Sequence, residues 1–319
     1  MNIPKIGLGT FGSDKFTPKQ VADAVKGAVE YGYRLFDCAS VYGNEDLIGK
    51  VFEEVTENGT VKREELVIVS KVWNDMHGKG DVLLSCAKSL RDLRINYLDI
   101  YFVHWPFPNY HAPGCDIDAR NPDSRPFLAD EFMACWQQME RLVDMGLVKS
   151  IGMSNMTVPK LEAVLKLCRI KPAFIELELH PAFQQPQLFD YCLDKGIQPI
   201  GYCPIGSPNR PERDRTPDDI AAAEMPEIIE IAEAHGLHPA VICLKWSVQT
   251  GAVPIPFSVN NYKNNIDLTF STNPLSDTEL LKIKQADRNC RLVKGHVFLW
   301  EGAKDWRDLW DEDGVIAGW

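Results

Sequence analysis

The sequence has no apolar run approaching the roughly 18 residues that a membrane-spanning helix needs. Its first residues, Met1-Asn2-Ile3-Pro4-Lys5, do not lead from a charged segment into an apolar one, so no secretory leader is expected and the chain reads as cytoplasmic. Positive charge is scarce. Against 45 acidic side chains there are 34 basic ones, a formal charge of −11, and no block of like charge stands out. That balance argues against a nucleic acid or another polyanion as the main partner, because such binders gain affinity from clustered Lys and Arg. The nine cysteines, at 38, 86, 115, 135, 168, 192, 203, 243 and 290, include no Cys-x-x-Cys pair. This excludes a disulfide framework and the common zinc spacings, and fits buried thiols in a reducing compartment. Internal repeats, low-complexity tracts and interdomain linkers are also missing.

What is present is an alternation. Short apolar runs rich in β-branched residues occur at 5–9, 34–37, 66–70, 98–103, 149–153, 173–178, 197–202 and 252–255. The segments between them carry helical spacing. Val21, Ala24, Val25, Ala28 and Val29 follow Thr17 as N-cap and Pro18 at the first helical position. Phe132, Trp136, Met139, Leu142 and Val143 form a second stripe, and Leu161, Val164 and Leu165 a third after Thr157-Val158-Pro159. Eight strand–helix units predict a parallel sheet closed into a (β/α)8 barrel, one domain over residues 1–319, since such barrels often exceed 250 residues as a single unit. Three stretches break the rhythm: residues 106–125, residues 203–220, and a tail from 296 to 319 with four tryptophans. Long loops in a compact domain are commonly lids or binding loops, and the tail is expected to cover the barrel rim.

Barrel sites lie at the carboxyl ends of the strands, and there each apolar run finishes in a polar or ionisable residue. The second ends at Asp37, followed by Tyr42-Gly43-Asn44-Glu45, and the third at Ser70-Lys71. The fourth ends at His104-Trp105-Pro106, the fifth at Ser154-Asn155, the sixth contains Glu176, Glu178 and His180, and the seventh ends at Tyr202. Asp, Tyr, Lys and His converging on one rim suit carbonyl reduction. A phenol with a pKa near 10 is a weak acid at neutral pH unless a cation lowers that value. Lys71 is placed to supply the cation, Asp37 to hold the ammonium, and His104 to orient the carbonyl beside Tyr42 as proton donor.

With these residues in hand the chain resembles the aldo-keto reductase family, aldose reductase-like. The matching segments are Gly7-Leu8-Gly9-Thr10-Phe11, Phe36-Asp37-Cys38-Ala39, Tyr42-Gly43-Asn44-Glu45, Ser70-Lys71-Val72-Trp73, His104-Trp105-Pro106 and Gly152-Met153-Ser154-Asn155. Glu178-Leu179-His180-Pro181, the stretch from Gly201 to Pro208, and Ile255-Pro256-Phe257-Ser258-Val259 complete the set. The resemblance implies a catalytic tetrad of Tyr42, Asp37, Lys71 and His104. It also implies a nicotinamide cofactor, NADP or NAD, whose carboxamide meets Ser154, Asn155 and Glu176, whose ring stacks on Tyr202, and whose phosphates meet Ser207 and Ser258. Phe11, Trp73 and Trp105 are implied to line the pocket of a small carbonyl substrate. Monomeric or small homo-oligomeric assembly is expected, with no membrane or nucleic-acid partner and no metal.

The sequence departs from the family pattern in four places. Glu176 stands where Gln is usual, which adds charge beside an oxidised nicotinamide. Phe257 stands where a Lys usually pairs with the cofactor's 2′-phosphate, and Lys263 where Arg is usual, which weakens strict NADP selectivity. Met1 lies so close to the first strand that the strand pair usually plugging the barrel floor is expected to be nearly absent.

Three alternatives stay open at this point. Gly7-x-Gly9-x-x-Gly12 fits a dinucleotide-binding fingerprint, and Tyr191-x-x-x-Lys195 fits a short-chain dehydrogenase pair. The first, however, needs a helix opening within the glycines. Glu176, Glu178 and His180 alternate along one strand, and with Asp37 and His104 they are the donor set of a metal-dependent sugar isomerase or hydrolase. A non-enzymatic nucleotide sensor on the same barrel is the third.

Overall fold

The computed structural model describes residues 3–12, 15–109, 121–207, 210 and 215–316. Parts of the 106–125 and 203–220 loops, Cys115 and the end of the tail therefore lie outside the described residues. Eight strands form one parallel sheet in sequence order: β1 (Leu8–Gly9), β2 (Leu35–Asp37), β3 (Val67–Val72), β4 (Leu98–Val103), β5 (Val148–Ser154), β6 (Phe174–Glu178), β7 (Gln198–Tyr202) and β8 (Val253–Pro254). Gly7 N–H donates to Pro254 O at 3.0 Å and Gly9 N–H to Pro256 O at 3.1 Å, which joins the last strand to the first. The sheet is thus a closed (β/α)8 barrel.

Helices α1 (Pro18–Tyr31), α2 (Glu45–Glu57), α3 (Asp81–Asp92), α4 (Ala129–Asp144), α5 (Val158–Leu165) and α6 (Pro186–Asp194) each follow one strand. A pair, α7 (Pro226–His235) and α8 (Pro239–Gln249), separates β7 from β8, and α9 (Tyr262–Ser271) and α10 (Asp277–Gln285) follow the barrel. Helix α1 begins as its sequence predicts. Thr17 accepts from Gln20 N–H, the Gln20 side chain accepts from Thr17 N–H, and Pro18 occupies the first turn, where its missing N–H costs nothing. Its Val21, Ala22, Ala24, Val25, Ala28 and Val29 are buried, the face that period 3.6 dictates.

Inside the barrel, the period of two along each strand decides what points where. Leu35, Val67, Val69, Ile100, Phe102, Phe174, Ile200, Val253 and Ile255 form an inner core distinct from the layer under the helices. Gly152 on β5 is needed there: a Cβ would come within 2.4 Å of the ring of Phe102, its partner on β4. At the amino-terminal ends of the strands a hollow of about 420 Å³ is lined by residues including Lys5, Phe174, Gln198 and Val253. Continuing the inner series towards the carboxyl ends takes Leu35 to Asp37, Val69 to Lys71, Phe102 to His104, Phe174 to Glu176 and Ile200 to Tyr202. The apolar floor and the ionisable rim are therefore one set of inward positions read upwards.

Candidate active site

Lys71 is the centre of the rim. It is fully buried, and its Nζ lies 2.5 Å from Asp37 Oδ1, 3.1 Å from Cys38 O, 3.4 Å from Tyr42 Oη and 3.4 Å from Glu176 Oε1. Burial opposes its charge, but Asp37, Glu176 and Tyr42 more than offset that and hold the ammonium well above the usual lysine range. Asp37 is pushed up by burial and pulled down by Lys71. Burial and the neighbouring Asp37, opposed by Lys71, push Glu176 up to about 8. Glu176 therefore holds its proton to a higher pH than an ordinary carboxylic acid.

Tyr42 is partly exposed and sits in a single helical turn, Ser40–Tyr42, directly after β2. The turn is tied on three sides. Ser40 Oγ donates to Lys71 O at 3.1 Å, Asn44 Nδ2 donates to Thr10 O at 2.9 Å, and Thr10 Oγ1 donates to Asp37 O at 2.8 Å. Gly43 follows at φ 65°, a left-handed conformation in which glycine has no Cβ penalty. Glu45 then opens α2, buried between the hydroxyls of Ser70 at 2.6 Å and Ser89 at 2.9 Å. These anchors explain the run Tyr42-Gly43-Asn44-Glu45, and sequence reasoning assigned no role to Thr10, Ser40 or Asn44. The phenol is raised above the ordinary tyrosine range by burial. Lys71 pulls it down, while Asp37 and Glu176 push it up.

His104 follows β4. Burial and then Lys71 hold it well below the usual imidazole range, so it is neutral, and its Nδ1 has no partner among the described residues. The His104 ring meets Trp73 edge-on at 4.9 Å and Tyr42 at 5.8 Å. Phe11, 47% exposed, lies 5.2 Å from the Tyr42 ring. Trp105 turns away towards the tail, 4.4 Å from Phe298 and 5.6 Å from Trp310. Phe298 also reaches Trp73 at 6.0 Å, so the tail supplies a pocket-side aromatic that sequence reasoning did not name.

Beside His104, Asn155 Nδ2 donates to His104 O at 2.9 Å and to Ser154 Oγ at 3.1 Å, while its Oδ1 accepts from Tyr202 Oη at 2.6 Å. Three non-glycine residues here have left-handed backbone: Asn155 at φ 59°, Cys203 at 52° and Ser207 at 41°. Such conformations cost free energy and cluster at ligand-binding sites. After β8, Ser258 Oγ accepts from Asn261 N–H at 2.7 Å, Phe257 packs edge-on against Phe16 at 5.5 Å, and exposed Lys263 lies 5.3 Å over the Tyr31 ring.

Glu178 and His180, proposed as metal ligands in one alternative, are otherwise engaged. Glu178 accepts from Leu292 N–H at 2.7 Å, Val293 N–H at 2.9 Å and His180 Nε2 at 3.0 Å, which pins the segment entering the tail. Among the described residues no three His, Cys, Asp or Glu side chains group as a metal cage. The Gly7–Gly12 glycines precede a helix that opens only at Pro18, and Tyr191 and Lys195 lie on and just after α6, with Lys195 over the Tyr191 ring.

Residues 5–288 match the family model described as "Aldo/keto reductase family". The chain belongs to the aldo/keto reductase family. An aldo/keto reductase of Synechocystis sp. is 38% identical over 97% of this chain and 94% of its own length. Aldo-keto reductase family 1 member A1 of Xenopus tropicalis is 39% identical over 91% of this chain and 88% of its own, and the human protein of that name 36% over the same shares. Aldo/keto reductases are nicotinamide-dependent oxidoreductases that act on carbonyl groups, and this membership makes the chain an enzyme of that class. No helix among the described residues is long and apolar enough to cross a membrane.

Proposed function

We propose that this aldo/keto reductase converts an aldehyde or ketone to its alcohol with Tyr42 as proton donor and Asp37, Lys71 and His104 as its supporting groups. The observation that carries this is the contact of Lys71 Nζ with both Asp37 Oδ1 and Tyr42 Oη, at 2.5 and 3.4 Å, inside a buried rim. Reduced nicotinamide supplies the hydride when bound. As negative charge grows on the carbonyl oxygen, the phenol gives up its proton, and the ammonium held by Asp37 stabilises the phenolate that remains. A phenol raised by burial keeps its proton until that charge develops. Neutral His104 donates one ring N–H to the same oxygen and orients it.

The cofactor's own contacts follow the rim. Ser154, Asn155 and Glu176 are proposed to meet the carboxamide, the partly exposed Tyr202 ring to stack on the nicotinamide, and Ser207 and Ser258 to meet the phosphates. The left-handed backbone at Asn155 and Ser207 supports this assignment. Phe257 against Phe16 leaves an apolar surface where the family resemblance puts a cation for the 2′-phosphate, and Lys263 is the basic side chain at the other position, so NADH is accepted beside NADPH. Phe11 and Trp73, beside Tyr42 and His104, form aromatic walls, with Trp105 behind them against Phe298, that suit the C–H faces of sugar-derived carbonyls and small aldehydes. The eight described cysteines are all free, which supports a reducing compartment such as the cytoplasm.

The test is consumption of reduced cofactor in the presence of an aldehyde panel, with and without a chelator. Aldehyde-dependent consumption that the chelator leaves unchanged supports carbonyl reduction. Activity that appears only with added divalent metal, and without cofactor, contradicts it.

A further inference from the structure

The barrel mouth holds two carboxyl groups and one cation. Asp37 is 3% exposed, Glu176 2% and Lys71 0%, and Lys71 Nζ contacts both carboxyls. Two ionised carboxylates against one ammonium would leave a net negative charge out of water, which is costly. Lys71 Nζ bridges Asp37 Oδ1 and Glu176 Oε1, at 2.5 and 3.4 Å, and so brings the two carboxyls side by side. Glu176 Oε2 is buried without a hydrogen-bond partner among the described residues, a costly arrangement for an ionised carboxylate oxygen. Asp37, Lys71 and a protonated Glu176 sum to zero. An oxidised nicotinamide carries one positive charge on its ring, so the same cluster beside it sums to zero only after the proton has left.

We propose that Asp37 and Glu176 hold a single shared proton in the free protein and release it to solvent when an oxidised nicotinamide binds, so that exchange of oxidised for reduced cofactor at this site is proton-coupled. The inference rests on the nicotinamide lying beside Glu176, as proposed above. Besides meeting the carboxamide, Glu176 sets the charge around Lys71 and Tyr42.

The other titratable groups facing the pair do not compete. On the β2 side the Cys38 thiol is held well above its ordinary range by burial, and Tyr42 in the following turn is likewise raised by burial. From β7, burial raises Tyr202 well above the usual tyrosine range and pushes Cys203 up to about 12. His104 is neutral and Lys71 stays charged. Glu178, next along β6 on the same face, is held below the usual carboxylate range: burial works against this, and His180, Arg291 and the Leu292 N–H overcome it. Glu176, at about 8, is left as the group poised to change near neutral pH.

The experiment is isothermal titration of the full-length protein with NADP+ and with NADPH, in phosphate and in Tris at about pH 7.5, which reads the protons exchanged. Release of roughly half a proton or more with NADP+ but not with NADPH is expected, together with a roughly fivefold fall in the NADP+/NADPH Kd ratio from pH 7 to 8. A proton lost from the 2′-phosphate is common to both forms and cancels in this comparison. In E176Q the difference between the two forms should vanish while both still bind. Equal proton release for the two forms overturns the proposal, as does an E176Q protein that releases as many protons as the wild type. If E176Q does not fold, the wild-type comparison still decides. Failure of both forms to bind overturns the nicotinamide assignment, and this inference with it.

Discussion

Lys160 on α5 and Asp311 in the tail form a buried ion pair with Nζ and Oδ2 2.5 Å apart, although 151 residues separate them in sequence. Lys160 Nζ also donates to Leu309 O at 2.9 Å, and Thr157, the N-cap of α5, donates its hydroxyl to Asp311. The start of one barrel helix thereby docks the tail. Nearby, the Arg291 guanidinium stacks 3.4 Å over the Trp310 ring. This fixes Phe298 and Trp310 against Trp105.

Removing the cation strands a buried carboxylate. Lys160→Met is expected to cost about 3–5 kcal/mol and to loosen the tail, with a red shift in tryptophan emission as Trp105 and Trp310 meet water. Substrate KM should rise more than cofactor Kd, because Phe298, which the tail carries, packs against Trp73 and Trp105. Parallel kinetics and binding titrations check this; a rise in cofactor Kd with KM unchanged would place the tail on the wrong side of the site.

The protonated Glu176 has a consequence for stability. Burial and Asp37 push it up to about 8, above the ordinary carboxylic-acid range. Between that range and the raised value the unfolded chain has lost the proton that the native protein keeps, so this group makes the fold less stable as pH rises through that window. Glu176→Gln, of the same shape and without a titrating group, should gain stability relative to wild type from pH 5 to pH 8. Thermal melts at both pH values read the difference, and a Tm gap that does not change with pH contradicts a neutral Glu176.

Phe257→Lys should shift cofactor choice. A lysine there can reach a 2′-phosphate, and a charge-assisted hydrogen bond of about 1.5–3 kcal/mol raises NADPH affinity roughly tenfold or more relative to NADH. Fluorescence quenching with both cofactors, wild type against variant, checks it. An unchanged ratio would mean that the 2′-phosphate lies elsewhere.

The strands and their order were legible in the sequence because short β-branched runs alternating with period-3.6 segments leave few topologies open. All eight runs coincide with strands to within a few residues, β1 and β8 being the shortest. The gathering of Asp37, Lys71 and His104 was legible for a related reason: each continues the inward i, i+2 series of its strand. The protonation state of Glu176 was not, because it depends on the distances to Asp37 and Lys71 across three strands. Nor were the backbone anchors of Tyr42. Thr10 and Ser40 look like ordinary polar residues until the carbonyls they reach are known. The clasp of Glu178 on the amides of Leu292 and Val293 was likewise hidden, since an acid next to His180 on a strand reads equally well as a ligand pair.

The proposed role of Tyr42 as proton donor, supported by Lys71 and Asp37, rests on its hydroxyl. Tyr42→Phe removes one oxygen and leaves the ring against Phe11 and His104. Cofactor binding by tryptophan quenching and aldehyde-dependent cofactor consumption should be measured on the same preparations of wild type and variant. Quenching should be unchanged and turnover lowered by about 10²–10⁴-fold. Turnover within a few-fold of wild type would contradict that role.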